Sequence, residues 1–181
     1  MIFWIVNIVL LLIIGFLFLL LSMFWPPDSP WAPWWKTNKK TARAMCRLAK
    51  VSKNDVIYDL GSGTGTALII AAKEFGARGV GIEIDPLRFL ISSMLLHSNR
   101  LSHKIKIVRK NFFDINISNA TVIFTYLVPK ALERLKPKLL RELKPGTLLV
   151  SFRYEISLPL ESFDKANDIF LYKVPIKKSF S

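Results

Sequence analysis

The sequence predicts an α/β fold, in which a mostly parallel sheet carries helices on both faces and one transmembrane helix precedes it. Three observations predict it. From residue 55 onward, short β-branched segments alternate with segments of helical spacing, the pattern of a parallel sheet with crossover helices. A glycine-rich turn, Gly61-Ser62-Gly63-Thr64-Gly65, joins the first strand segment to the first helical one. Residues 2–23 contain no charged side chain, and Asn7 is their only strongly polar residue.

That first run is long enough to cross a bilayer core, which takes about 20 apolar residues as a helix. It reads as an anchor that is kept. No Lys or Arg precedes it, and it ends in Ser22-Met23-Phe24-Trp25-Pro26-Pro27 without a small-x-small cleavage pattern. Residues 1–25 are thus the expected anchor. Residues 26–36, with four prolines and three tryptophans, form a stiff linker. Residues 37–176 form one domain, long enough for a single core, and residues 177–181 a polar tail. Lys36, Lys39, Lys40, Arg43, Arg47, Lys50 and Lys53 all follow the anchor. The positive-inside rule therefore predicts a single-pass protein with its domain on the cytoplasmic, or equivalent, side. Trp4 near one end, and Trp25, Trp31, Trp34 and Trp35 past the other, suit headgroup zones.

Within the domain, helical spacing runs from Thr37, a candidate cap, to about Val51. Residues 55–60 (DVIYDL) predict the first strand and 66–75 the first crossover helix. Residues 79–83 (GVGIE) predict the second strand. Asp85-Pro86 caps and opens a helix expected to reach about Leu101. Strands follow at 104–109 (KIKIVR) and 121–126 (TVIFTY). A helix runs from Pro129 to about Leu143, with Pro137 expected to kink or divide it. Residues 147–154 predict the fifth strand and 168–174 (DIFLYKV) a last one.

Composition narrows the chemistry. All 26 Lys and Arg lie from Lys36 onward together with 12 of the 13 acids, so the part after the anchor carries +14. Such a surface attracts anionic lipid, and secondarily nucleic acid. One cysteine, Cys46, precludes an internal disulfide and a zinc cluster, and no metal site is expected. His97 and His103 stand apart and read as structural or surface residues.

The turn after the first strand reads Asp59-Leu60-Gly61-Ser62-Gly63-Thr64-Gly65. Its G-x-G-x-G spacing differs from the dinucleotide pattern G-x-G-x-x-G, and the G-K-[ST] of a phosphate loop is absent. The expected ligand has no pyrophosphate, and Asp59 suits a cationic one. Glu83 ends the second strand, where a carboxylate can accept both hydroxyls of a ribose diol. After the third strand, Asn111 can read an adenine edge, with Asp114 as the alternative, and Phe112 or Phe113 can pack on its face.

With these motifs in place, the sequence resembles the class I S-adenosylmethionine-dependent methyltransferases. Within that class it is similar to the small protein-lysine methyltransferases related to the enzymes that modify ATP synthase and the adenine nucleotide translocase. The resemblance rests on Asp-Leu-Gly-Ser-Gly-x-Gly, Gly81-Ile-Glu-Ile-Asp85-Pro86, Asn111-Phe-Phe-Asp114 and Tyr126-Leu-Val-Pro129. The family's aromatic-Val-Pro-Thr motif stands here as Trp34-Trp35-Lys36-Thr37, without the proline. The resemblance implies a Rossmann-like sheet of strand order 3-2-1-4-5 plus one terminal strand, antiparallel. It implies S-adenosyl-L-methionine bound by Asp59, Gly61, Ser62, Gly63, Gly65, Glu83, Asn111, Phe112 and Thr37. Tyr126 and Pro129 would line the channel facing the reacting methyl group. The expected substrate is a lysine on a membrane or membrane-proximal protein. The alternatives are RNA, a lipid or other small molecule, or a non-catalytic scaffold that keeps the fold.

Overall fold

The computed structural model describes residues 2–24 and 37–176. The expected linker and tail lie outside the described residues. Helix α1 (Ile2–Phe24) is apolar on every side, and its residues 2–21 are long and apolar enough to cross a membrane. Its one side-chain amide bonds back to the helix: Asn7 Nδ2 donates to the carbonyl of Phe3 at 2.8 Å.

Helix α2 (Lys39–Leu48) begins one residue later than the sequence suggested. Asn38, not Thr37, is its cap, with Asn38 Oδ1 accepting from the N–H of Thr41 at 2.8 Å. It also ends before Val51, because Lys50 turns left-handed at φ 50°. Thr41, Ala42, Met45 and Cys46 bury one face against the next helix. Strand β1 (Val56–Leu60) leads through the glycine turn into α3 (Thr66–Glu74), then β2 (Arg78–Glu83). Helix α4 (Pro86–Ser98) is capped by Asp85 Oδ1, which accepts from Arg88 N at 2.8 Å. It stops short of Leu101 because Arg100 is left-handed at φ 57°. Strand β3 (Ile105–Arg109), a 3₁₀ turn (Phe112–Asp114) and β4 (Val122–Thr125) follow. Helix α5 (Pro129–Glu142) is undivided at Pro137. Leu132, Leu135 and Leu139, all fully buried, hold both halves to one core and offset the lost N–H.

Strand β5 (Leu148–Phe152) completes a parallel set, and β6 (Leu160–Asp164) and β7 (Ile169–Lys173) add an antiparallel pair. The order is β3-β2-β1-β4-β5-β7-β6. The Rossmann-like sheet and its antiparallel last strand are as expected, but the sheet has seven strands, one more than predicted. The extra strand, β6, has the sequence LESFD and lies almost wholly exposed at the edge. One apolar cluster underlies α2, α3 and α4, and the other underlies α5. Both faces are therefore covered, three helices on one and one on the other.

Candidate active site

The carboxyl ends of β1, β2, β4 and β5 lie side by side, since these strands run parallel and adjacent. In such sheets the edge just past the strand ends is where ligands bind.

The glycine turn is built by backbone bonds. Gly61 N and Ser62 N both donate to the carbonyl of Ile82, at 2.9 and 3.0 Å. Gly61, Gly63 and Gly65 hold φ values of 83°, 54° and 74°, a region other residues enter only at a cost. Glu83 clasps the turn from β2. Its Oε2 accepts from Gly63 N at 2.8 Å and its Oε1 from Asp85 N at 2.9 Å. Each oxygen keeps a further lone pair for a ligand. Gly81 permits the close fit: a Cβ there would stand 2.5 Å from Ile107 Cδ1 and 2.7 Å from Ser62 Oγ.

Asp59 pairs with Gly81 across the β1–β2 ladder, so it shares a sheet face with Glu83. It is 8% exposed. Its carboxylate has no hydrogen-bond or ion-pair partner among the described residues. Burial, and then the nearby Glu83 charge, push its pKa up to about 7. Burial also raises that of Glu83, against the two N–H donors that lower it. Ser62 Oγ is buried without a partner as well. Two crowded carboxylates and an orphaned hydroxyl fit a ligand that brings positive charge and hydrogen bonds. Among the described residues no cluster of three His, Cys, Asp or Glu can hold a metal.

The third sequence element reaches the same edge, because Lys110 N donates to the carbonyl of Glu83 at 3.2 Å. Asn111 is exposed and caps the 3₁₀ turn, its Oδ1 accepting from Phe113 N at 3.1 Å. Its amide N–H₂ group and a second Oδ1 lone pair remain for a ligand. Phe112 is half-buried and packs on Phe113, with ring centroids 4.7 Å apart. Thr37 is half-buried ahead of α2 and makes no hydrogen bond to the turn or to Glu83 among the described residues.

Past β4, Tyr126 is half-buried beside two rings that sequence reading missed. Phe152 lies at 4.5 Å and Tyr154 at 6.4 Å between centroids. Arg153 Nη1 donates to Tyr126 Oη at 3.3 Å. Burial raises the Tyr126 pKa above the ordinary tyrosine value, against the Arg153 charge that lowers it. The signal for the two rings was available: β5 neighbours β4, so its carboxyl end must open on the same edge. The adjoining Leu127 side chain lies 3.6 Å from where a Gly61 Cβ would stand, linking this aromatic group to the glycine turn. Pro129 is exposed at the first turn of α5.

The profile of the ANTKMT methyltransferase domain matches residues 59–159, which run from Asp59 through the aromatic group. The chain belongs to the ANTKMT methyltransferase family. By family it is an S-adenosylmethionine-dependent protein-lysine methyltransferase. It is 38% identical to a protein-lysine N-methyltransferase of Saccharolobus islandicus, over 84% of this chain and 98% of that one. It is 26% identical to an ATP synthase lysine N-methyltransferase of Xenopus laevis, over 69% of this chain and 53% of that one. A solved RNA methyltransferase from Salinibacter ruber, in complex with S-adenosyl-L-homocysteine, superposes with a TM-score of 0.77. It is 33% identical, and the match covers 81% of this chain and 98% of that one.

Proposed function

We infer that this methyltransferase modifies a lysine of a membrane-embedded protein, working from a domain that α1 tethers to the bilayer. The observation that carries the reading is the buried, partnerless Asp59 beside Glu83 under a glycine turn, on a chain that starts with an apolar helix. Support for the target comes from relatives named for ATP synthase and for the adenine nucleotide translocase. The basic residues after α1 favour the cytoplasmic side for the domain.

Bound S-adenosylmethionine supplies an activated methyl group on a sulfonium that leaves as a neutral thioether. The chain's own residues bind and orient. Glu83 accepts from a ribose diol with its remaining lone pairs, while the N–H bonds from Gly63 and Asp85 hold it rigid. Asp59 supplies the negative charge that a cationic amino-acid group needs. Gly61, Ser62, Gly63 and Gly65 let the ligand approach the backbone closely, and Ser62 Oγ gains a partner. Asn111 offers its N–H₂ group to the adenine and Phe112 its ring face. Thr37, on the segment leading into α2, is assigned to the rim of the same pocket.

Tyr126, with Pro129 at the mouth of α5, lines the approach of the lysine. The amine attacks only when neutral, and its ordinary pKa is about 10.4. Burial near a positive centre lowers that value. As the attacking nitrogen gains positive charge, the Tyr126 ring face stabilises it. The residues supply orientation and dryness, and no general base is assigned.

The test is transfer of labelled methyl groups by the full chain into fractionated membranes, scored separately as protein, RNA and lipid. Label in trimethyl-, dimethyl- or monomethyl-lysine of membrane proteins, lost in Asp59→Asn, is expected. A second reading, transfer to RNA, draws on the +14 charge and the Salinibacter ruber relative. Label confined to the RNA fraction would establish it instead.

A further inference from the structure

Strand β7 runs antiparallel to β5, so its amino end opens on the same edge as the carboxyl ends of β4 and β5. Asp168 stands at that end, just before Ile169, which pairs with Phe152. Beyond that pair, Arg153 N donates to the carbonyl of Asp168 at 2.8 Å. The two residues so joined are both left-handed, at φ 72° for Arg153 and 58° for Asp168. Among the described residues the other left-handed side chains are Lys50 and Arg100, which end helices α2 and α4. The pair at 153 and 168 ends no helix, and glycine would fit either position without strain. Side chains kept in that region cluster where function needs them.

The two charged side chains are used differently. Arg153 donates to Tyr126 Oη at 3.3 Å, and its Cζ stands 6.0 Å from the centre of the Phe152 ring. Asp168 is exposed, and its carboxylate has no hydrogen bond or ion pair among the described residues. Asp164, at the other end of the same turn, is taken up by it: its carboxylate accepts from Asn167 N at 3.1 Å and Asn167 Nδ2 at 2.7 Å. Burial is the main cause of the raised Tyr126 pKa, and the charge of Asp168 adds to it, so that carboxylate lies within electrostatic reach of the rings. The charge of Glu155, next after Tyr154, is felt at Tyr172 instead.

A lysine arrives as an ammonium, and the part of the chain after α1 carries +14, which repels it. A carboxylate at the mouth of the site offsets that repulsion locally. Asp59 and Glu83 are buried and face the cofactor. We propose that Asp168 receives the ammonium of the acceptor lysine, and that Phe152 and Tyr154 line its path inward together with Tyr126. The proposal rests on the lysine reading above. Asp168 holds the charged form only at the wet mouth. The proton passes to water there, and the neutral amine goes on past the rings. Arg153 is a positioning residue, since its backbone holds Asp168 in place and its guanidinium orients the Tyr126 hydroxyl.

The test uses the full chain in vesicles, with labelled methyl transfer to lysine titrated against the amount of acceptor membrane protein. Asp168→Asn removes the charge and keeps a residue that tolerates the left-handed backbone. It should raise KM about fivefold, the upper range for an exposed ion pair, and leave kcat close to the parent. Asp168→Glu should recover part of the loss, and added salt should narrow the gap between the parent and Asp168→Asn. Asp168→Gly suits the backbone, so it should melt close to the parent while its KM rises as in Asp168→Asn. Cofactor affinity by calorimetry should be the same in all of them. An Asp168→Asn protein with the parent's KM at low salt overturns the proposal and leaves the lysine reading standing. An equal rise in Glu155→Gln marks a general surface-charge effect and overturns it too. A parent enzyme that puts no label into lysine overturns the reading and the proposal together.

Discussion

Asp59 sets the behaviour of the site toward pH. Its folded pKa of about 7 lies above the ordinary 3.8. A group shifted upward contributes stability that is fully present below its unfolded pKa and lost as pH rises through the folded one. The ligand-free protein should therefore lose stability between about pH 4 and pH 8, and Asp59→Asn should flatten that loss in thermal melts. Binding of a cation reverses the preference and favours the carboxylate. Cofactor affinity measured by calorimetry should fall below about pH 7, approaching about tenfold per unit, and Asp59→Asn should bind weakly with no such dependence. Glu83→Gln cannot accept from both Gly63 and Asp85, because its N–H₂ group must face one of those N–H donors. Leaving that donor unpaired should cost about 1–3 kcal/mol in chemical denaturation. Gly81→Ala drives a Cβ into Ile107, Ser62 and Leu68, for an overpacking cost of about 1–3 kcal/mol in the same measurement. The acids at 59 and 83 were legible in sequence because a glycine turn and a strand end fix their places. The double use of Asn111, cap and candidate ligand, was not, since a hydrogen bond from Phe113 N leaves no mark on composition.

At the level of elements, the alternation of strand and helix was readable because buried parallel strands such as VIYDL and LLVSF are short apolar runs between polar turns. Strand β6 was not. Its residues face solvent, so LESFD carries neither alternation nor an apolar run, and only pairing with β7 makes it a strand. The helix is not divided at Pro137 for the complementary reason: tertiary packing of three buried leucines overrode a local signal. The carboxyl ends of β4 and β5 are where element geometry makes a prediction about catalysis. Tyr126 stacks among Phe152 and Tyr154 and accepts from Arg153. If its ring steadies the lysine, Tyr126→Ala should lower kcat/KM for the protein substrate about 10- to 30-fold, the scale of a partly desolvated ring–cation contact. Cofactor affinity should stay unchanged. Tyr126→Phe keeps the ring and should stay close to the parent, so steady-state kinetics of the two variants separate ring from hydroxyl.

For the whole molecule, α1 is long and apolar enough to cross a membrane, and the part after it carries +14. Tethering raises the effective concentration of targets in the same bilayer without any new contact. Lysines placed in mid-helix, Leu10→Lys with Ile13→Lys, each cost about 2.5–3.5 kcal/mol of insertion. The double variant should leave carbonate-washed membranes and lose activity on embedded substrate, while keeping activity on a soluble lysine peptide. That pair of assays distinguishes a lost tether from a damaged site.

The sheet's two open edges differ in sign. Strand β3 carries Lys106 and Arg109, flanked by Lys104 and Lys110, whereas β6 carries Glu161 and Asp164, followed by Lys165. The domain is in effect an electric dipole laid across its own sheet. Over a negatively charged surface it feels a torque before any contact forms, and it arrives β3 side down with its acidic rim turned to water. Opposed edges of that kind also make sideways strand pairing between copies selective: like edges repel, so twofold pairing through either rim is disfavoured.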